Sequence, residues 1–169
     1  MPTATLSDSA DRAFFADVML GRLARWLRIL GYDTAYEKGI ADDELVARSL
    51  AEDRWLLTRD RYLARRRLLR KRHSLIVDDH INDQLRQLRR ELNLRLCIGD
   101  DIPHRCADCN SKLIPISTEE AAPLVPPFVA AHYPTFILCP ACRRLFWRGT
   151  QWSTLLGRLA DIREGPAQT

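Results

Sequence analysis

Residues 13–32 read AFFADVMLGRLARWLRILGY, and the way this stretch divides decides the fold. Ala13-Phe14-Phe15-Ala16 is a brief apolar run that ends in Asp17. Leu20, Leu23, Leu27 and Leu30 then recur at the three- and four-residue intervals of a helix, and Gly31 supplies a stop. A short apolar strand followed by an amphipathic helix is thus the opening unit.

Working outward, the same alternation repeats. Thr34-Ala35-Tyr36 is a second strand, and a helix starting at Asp42 turns Leu45, Val46 and Leu50 inward. Trp55-Leu56-Leu57-Thr58 is a third strand, followed by a basic helix from about residue 60. Leu75-Ile76-Val77 is a fourth, and Ile81, Leu85, Leu88 and Leu92 mark a further helix. Short apolar strands alternating with helices predict an α/β fold, a parallel sheet flanked by helices on both faces. Sites in such sheets lie outside the carboxyl ends of the strands.

Composition changes after residue 98. Pro103, Pro115, Pro123, Pro126, Pro127 and Pro134 are six of the nine prolines, and helical periodicity is scarce until Trp152–Leu156. A boundary is expected near residues 98–104. It divides a first domain over 13–100 from a small module over 104–157, with a disordered lead-in at 1–12 and a disordered tail at 164–169. No apolar run approaches the roughly 20 residues that a membrane span needs, and the N-terminus carries no secretory signal. Four of the five cysteines stand in two CxxC pairs, which fits metal binding in a reducing compartment, with the cytoplasm as default. The net charge of +4 favours an anionic partner, and Arg59, Arg61, Arg65, Arg66, Arg67, Arg70, Lys71 and Arg72 concentrate that charge around a single acid, Asp60.

Cys106 with Cys109, and Cys139 with Cys142, form two turns that each aim a pair of thiolates at one point. Together they complete the tetrahedral sulfur site that zinc favours, with no open position, so the ion is structural. The 29 residues between the pairs have room for a hairpin and the proline-rich excursion. A thioredoxin-like redox pair would need a CxxC opening a helix after a strand, and neither pair has that setting. Cys97 stands apart and is expected to be a small core residue.

Asp17 closes the first strand, Asp42 and Asp43 open a helix after the second, Asp60 follows the third, and Asp78 and Asp79 close the fourth. Asp42, Asp60 and Asp79 each have a bland reading as a helix cap. Collectively they project to one edge of a parallel sheet, where two carboxylates about 4 Å apart repel by about 4 kcal/mol at an effective dielectric of 20. Such a gathering must take up protons or bind a cation, and oxygen ligands suit magnesium or manganese. Arg22, Arg25 and Arg28 recur every three residues along the first helix, and Arg59 neighbours Asp60. Arginines around a metal-carboxylate site suit a phosphodiester.

The runs FFADVMLGRLARWLRILGYDT (14–34), DDEL (42–45), WLLTRDRYL (55–63), RCADCN (105–110) and CPACRRLFWRGTQW (139–152) together resemble the Mut-seven C-terminal ribonuclease domain family. The resemblance covers about residues 14–157. It implies a PIN-like nuclease domain with a zinc ribbon at its C-terminal end, in which Asp17, Asp42 and Asp60 are the acidic metal-binding set and Cys106, Cys109, Cys139 and Cys142 the ribbon ligands. Asp43 is an alternative for the second acidic position, and Asp78 and Asp79 match no motif. The family usually carries a histidine where this chain has Gln151.

The function this implies is a magnesium- or manganese-dependent ribonuclease cutting RNA endonucleolytically, with Arg22, Arg25, Arg28 and Arg59 as phosphate contacts and no small-molecule cofactor. Arg143, Arg144, Arg148, Phe146 and Trp147 of the ribbon are candidates for a second RNA contact, although Phe146 and Trp147 equally suit a ribbon core. The alternative is a non-catalytic RNA- or ribosome-binding protein with a vestigial site. A third reading is a ribbon that binds protein.

Overall fold

The structure is a computed structural model that describes residues 12–98 and 104–164. Four strands, β1 (Phe14–Ala16), β2 (Thr34–Tyr36), β3 (Trp55–Thr58) and β4 (His73–Leu75), form one all-parallel sheet in the order β2-β1-β3-β4. This is the expected α/β sheet flanked by helices. The expected lead-in lies outside the described residues except for Arg12, and the expected tail lies outside them except for Glu164.

Helix α1 (Gly21–Ile29) links β1 to β2, and α2 (Asp42–Ala51) links β2 to β3. A single turn, α3 (Arg61–Ala64), and a 3₁₀ turn at Arg67–Leu69 link β3 to β4, and α4 (Ile81–Leu92) follows. The basic helix expected from about residue 60 is therefore two short turns broken at Arg65 and Arg66. The side chains of β1 alternate between two cores. Phe14 and Ala16 join Leu23, Leu27 and Leu85 on one face, and Phe15 joins Leu45, Val46, Leu56 and Leu63 on the other. Phe14 and Phe15 are both fully enclosed, each worth about 1.5–3 kcal/mol of burial.

Gly31 ends α1 as expected, at φ +95°, a conformation that costs glycine nothing. Its amide donates to Arg28 O at 2.9 Å while the Tyr32 amide donates to Leu27 O at 2.9 Å, which satisfies two terminal carbonyls and turns the chain into β2.

β4 begins two residues before the apolar run Leu75-Ile76-Val77. His73, Ser74 and Leu75 pair with Leu56, Leu57 and Thr58, and Val77 is exposed. Beyond α4 the chain runs extended, with Leu94, Leu96 and Ile98 inward and Arg95 and Cys97 outward. Cys97 is thus exposed, not a core residue, because period-two alternation governs this segment.

The C-terminal module has its own antiparallel sheet, β5 (Ile114–Ile116), β6 (Phe136–Leu138) and β7 (Leu145–Trp147), in the order β5-β6-β7. The antiparallel pair β5–β6 lies between the two cysteine pairs, and its proline-rich connection carries α5 (Thr118–Ala121) and α6 (Pro127–His132). Ser117 and Glu120 form a reciprocal capping box on α5. The final helix, α7 (Thr150–Glu164), returns to the first domain. It packs on α4 and carries Leu159 and Ile162 into the core beside α1, back across the boundary expected near residues 98–104.

Candidate active site and cysteine metal centre

In the strand order β2-β1-β3-β4 the chain leaves β1 in one direction and β3 in the other, so the crevice between their carboxyl ends is the switch point where ligands bind in open parallel sheets. Asp17 and Asp60 stand on either side of it. Asp17 is 5% exposed and accepts three hydrogen bonds. Its Oδ1 takes the Met19 amide at 2.9 Å, and its Oδ2 takes the Thr58 hydroxyl at 2.5 Å and the Arg59 amide at 2.8 Å. The Thr58 hydroxyl in turn accepts the Asp60 amide at 2.9 Å. Asp60 caps α3, with Oδ1 accepting from Tyr62 at 2.6 Å and Leu63 at 3.1 Å. Thr58 thus couples the two acids, a role sequence reasoning missed. The available clue was a hydroxyl residue ending a strand two positions before Asp60.

Asp42 and Asp43 lie exposed in the first turn of α2, whose N-cap is Ala41. Asp43 pairs with Arg66. Arg59 extends to Asp79, with Nη2 2.5 Å from Oδ1, which brings the end of β4 to the same rim. Asp78 takes part through its carbonyl, which accepts from Gln84 at 2.9 Å. Among the described residues, the group of three or more potential ligands whose atoms all lie within 4.8 Å of one another is the four cysteines, and the acids form no such group.

The arginines of α1 separate along the helix, since six residues rise about 9 Å. Arg22 is exposed in the first turn, five positions after Asp17 in the chain. Arg25 pairs with Asp108 of the ribbon. Unlike Arg22 and Arg25, Arg28 is buried. It donates to Thr34 O at 2.8 Å, Ala107 O at 3.0 Å and Asp108 O at 2.8 Å. Burial pulls its guanidinium below its ordinary pKa, against the opposing pull of Cys106, Cys109 and Asp108. Arg28 fastens the ribbon to the sheet domain.

Asp33 and Asn110 complete that junction. Asn110 donates to Asp33 Oδ1 at 2.8 Å and accepts the Thr34 amide at 3.0 Å, and Arg54 donates to the same Asp33 oxygen at 2.7 Å. Burial raises the Asp33 pKa, but the hydrogen bonds from Arg54 and Asn110 outweigh it and hold the carboxyl below its usual range.

The two CxxC turns share one geometry. The amide of Asn110 donates to Cys106 O, and that of Arg143 to Cys139 O, each at 2.9 Å. Asn110 and Arg143 take φ +67° and +62°, closing each turn in the left-handed region. The Sγ atoms of Cys106 and Cys142 are 3.6 Å apart, and those of Cys109 and Cys139 are 3.4 Å apart. A tetrahedron with metal–sulfur bonds of about 2.3 Å has edges of about 3.8 Å, so the four sulfurs fit a single zinc-sized ion. Burial pushes the Cys106 thiol up to about 12. At Cys109 burial acts in the same direction but is outweighed by hydrogen bonds from Ser111, which bring the thiol down to about 6. A cation between them resolves this disparity by stabilising every thiolate.

Phe146 and Trp147 are half-buried on β7 and line a cavity of about 560 Å³ between ribbon, α1 and α7. Arg143 and Arg148 are exposed, Arg144 pairs with Asp108, and Gln151 is exposed in the first turn of α7. No helix among the described residues is long and apolar enough to cross a membrane.

A family model described as Mut7-C RNAse domain matches residues 12–159, nearly the whole chain. No curated protein and no solved structure matches the chain.

Proposed function

Since this chain belongs to the Mut7-C RNAse domain family, a ribonuclease-type domain, we propose that it cleaves RNA phosphodiester bonds endonucleolytically with the help of a magnesium or manganese ion at the rim of Asp17, Asp42 and Asp60. The observation that carries this reading is the Asp17–Thr58–Asp60 linkage at the switch point between β1 and β3.

The donor set suits such an ion because every donor is oxygen, and magnesium commonly binds through one or two carboxylates while keeping its waters. Asp60 Oδ2 and the Asp42 carboxylate have no hydrogen-bond partner among the described residues, so both can serve as ligands. Asp17, fixed by three donors, is the rigid member. Asp17, Asp42 and Asp60 would hold the ion, which would supply Lewis acidity toward the scissile phosphate and a more acidic water. Arg22 and Arg59 hold the flanking phosphates, and Asp79 orients Arg59. In the same reading Cys106, Cys109, Cys139 and Cys142 hold a structural zinc, and a reducing compartment such as the cytoplasm suits their thiolates.

The test is cleavage of single-stranded RNA with manganese or magnesium by wild type and Asp42→Asn. Asp42 is exposed and caps nothing, so its amide variant keeps the fold. Cleavage is expected to fall by about 100-fold or more. Equal cleavage by both proteins would remove Asp42 from the site, and equal cleavage by Asp17→Asn as well would end the catalytic reading.

One observation favours a second reading. Asp17 already accepts three hydrogen bonds and Asp60 caps α3, roles that a purely structural rim also explains. In that case the protein binds RNA or the ribosome without turnover. RNA binding that weakens steeply with salt, with no cleavage in any metal, would support it.

A further inference from the structure

The basic segment after Asp60 forms a surface that the proposed chemistry does not use. A hollow of about 550 Å³ is lined by Arg65, Arg66, Arg67, Arg70, Lys71 and His73, with Ala64 as the remaining lining residue. No carboxylate lines it. Elsewhere Arg25, Arg48, Arg54, Arg59, Arg72, Arg86 and Arg144 pair with acids, and of the hollow's own cations Arg66 does, with Asp43. Among the described residues the side chains of Arg65, Arg67, Arg70 and Lys71 have no partner. His73 Nδ1 lies 2.9 Å from Leu69 O, which can only accept, so the ring donates there and adds no negative group to the hollow.

The bland reading is a solvated charged face. Concavity and position argue against it. Like charges gathered in a hollow raise one another's energy, and an anion seated among them removes that cost. The hollow also adjoins the acid rim at two points. Its sequence begins at α3, which Asp60 caps, and Arg66 pairs with Asp43, the neighbour of Asp42. Exposed Tyr62, which lies in the chain between Asp60 and the hollow's first lining residue Ala64, offers a face on which a base can stack.

We propose that this hollow is a phosphate track that carries the RNA strand away from the acid rim. Arg65, Arg67, Arg70 and Lys71 contact successive backbone phosphates several nucleotides from the bond that is cut. The track reads charge and not sequence, so it lengthens the bound strand without selecting bases. The identity of the anion as RNA rests on the ribonuclease reading above, while the site itself rests on its own residues.

The test measures binding of labelled single-stranded RNA of about 4 and about 12 nucleotides, without added magnesium or manganese, across a salt series. The variant is Arg65→Gln/Arg67→Gln/Arg70→Gln/Lys71→Gln. A charge-matched control changes scattered exposed cations, Lys38→Gln/Arg90→Gln/Lys112→Gln/Arg163→Gln. For the longer strand the track variant is expected to bind at least about 10-fold more weakly, with the slope of log K against log salt reduced by about 3, near 0.7 per lost contact. The short strand and the control should stay near wild type. If the fourfold variant melts early, Arg70→Gln/Lys71→Gln alone is expected to lose about half of that slope.

An unchanged slope, or an equal loss in the control, overturns the track, as does equal dependence of the short strand on these residues. Failure of the two proposals is separable. Cleavage by wild type together with undiminished binding by the track variant defeats the track and leaves the nuclease. Track-dependent binding with no cleavage in any metal defeats the nuclease and leaves the track. No RNA binding by wild type defeats both.

Discussion

Thr58 holds two strand ends together with one hydroxyl, donating to Asp17 Oδ2 at 2.5 Å and accepting the Asp60 amide at 2.9 Å. Both the hydroxyl and Asp17 are buried, so replacing Thr58 by valine keeps the shape and strands a carboxylate oxygen and an amide. Thr58→Val should cost about 1–3 kcal/mol in urea unfolding, and it should lower RNA cleavage further by loosening Asp17. A variant as stable and active as wild type would show that Asp17 is positioned by β1 alone. The same scale explains why the strand-end places of Asp17 and Asp60 were legible and their coupling was not. Strand-end positions follow from periodicity, whereas a hydroxyl bridging residues 41 positions apart depends on β1 and β3 being neighbours.

Among the elements, α7 does the most that was unforeseen. Only its first residues, Trp152–Leu156, showed periodicity, and they were assigned to the ribbon. In the structure its second half packs on α4, with Leu159 and Ile162 almost fully buried in the core that also holds Phe14 and Leu27. Leu159→Ala should therefore destabilise the sheet domain by about 2–5 kcal/mol, read from the main unfolding transition. A shift confined to the ribbon would place α7 with the ribbon after all. α3 and β4 teach a related lesson. Arginine-rich sequence from residue 60 reads as helix, yet the chain folds into two short turns because it must bring His73 beside Leu56. Likewise Leu75-Ile76-Val77 is the apolar run, but the hydrogen-bond ladder is set by the register of β3 and starts at His73.

At the scale of the whole molecule, ribbon and sheet domain are joined through Arg28, Asp33 and Asn110, with Arg54 steadying Asp33. Zinc binding in such modules is worth about 10–16 kcal/mol, so a strong chelator should unfold the ribbon and, through Arg28 and Asn110, weaken the sheet domain. Circular dichroism and melting with and without chelator check this, and a ribbon that stays folded with no metal bound would refute the zinc assignment. Asp33 adds a pH dependence. Its carboxyl is held below the ordinary aspartate value of 3.8, so its contribution is complete above that value and is lost as pH falls through the folded one. Docking should be constant between about pH 5 and 7 and weaken below about pH 4. Asp33→Asn should flatten the fall of melting temperature over that acid range, and an unaltered fall would assign it to other carboxyls.

The sequence by itself determined the alternating strands and helices, the acids at strand ends and the two cysteine pairs, because periodicity and CxxC spacing act over a few residues and need no partner. Tertiary structure decided which arginines reach solvent, where α7 packs and which groups pair. Arg28 illustrates the reason: it shares its spacing with Arg22 and Arg25, yet it is buried because the first CxxC turn, 79 residues later, closes over it. Burial depends on what arrives from elsewhere in the chain, and local pattern carries no record of that.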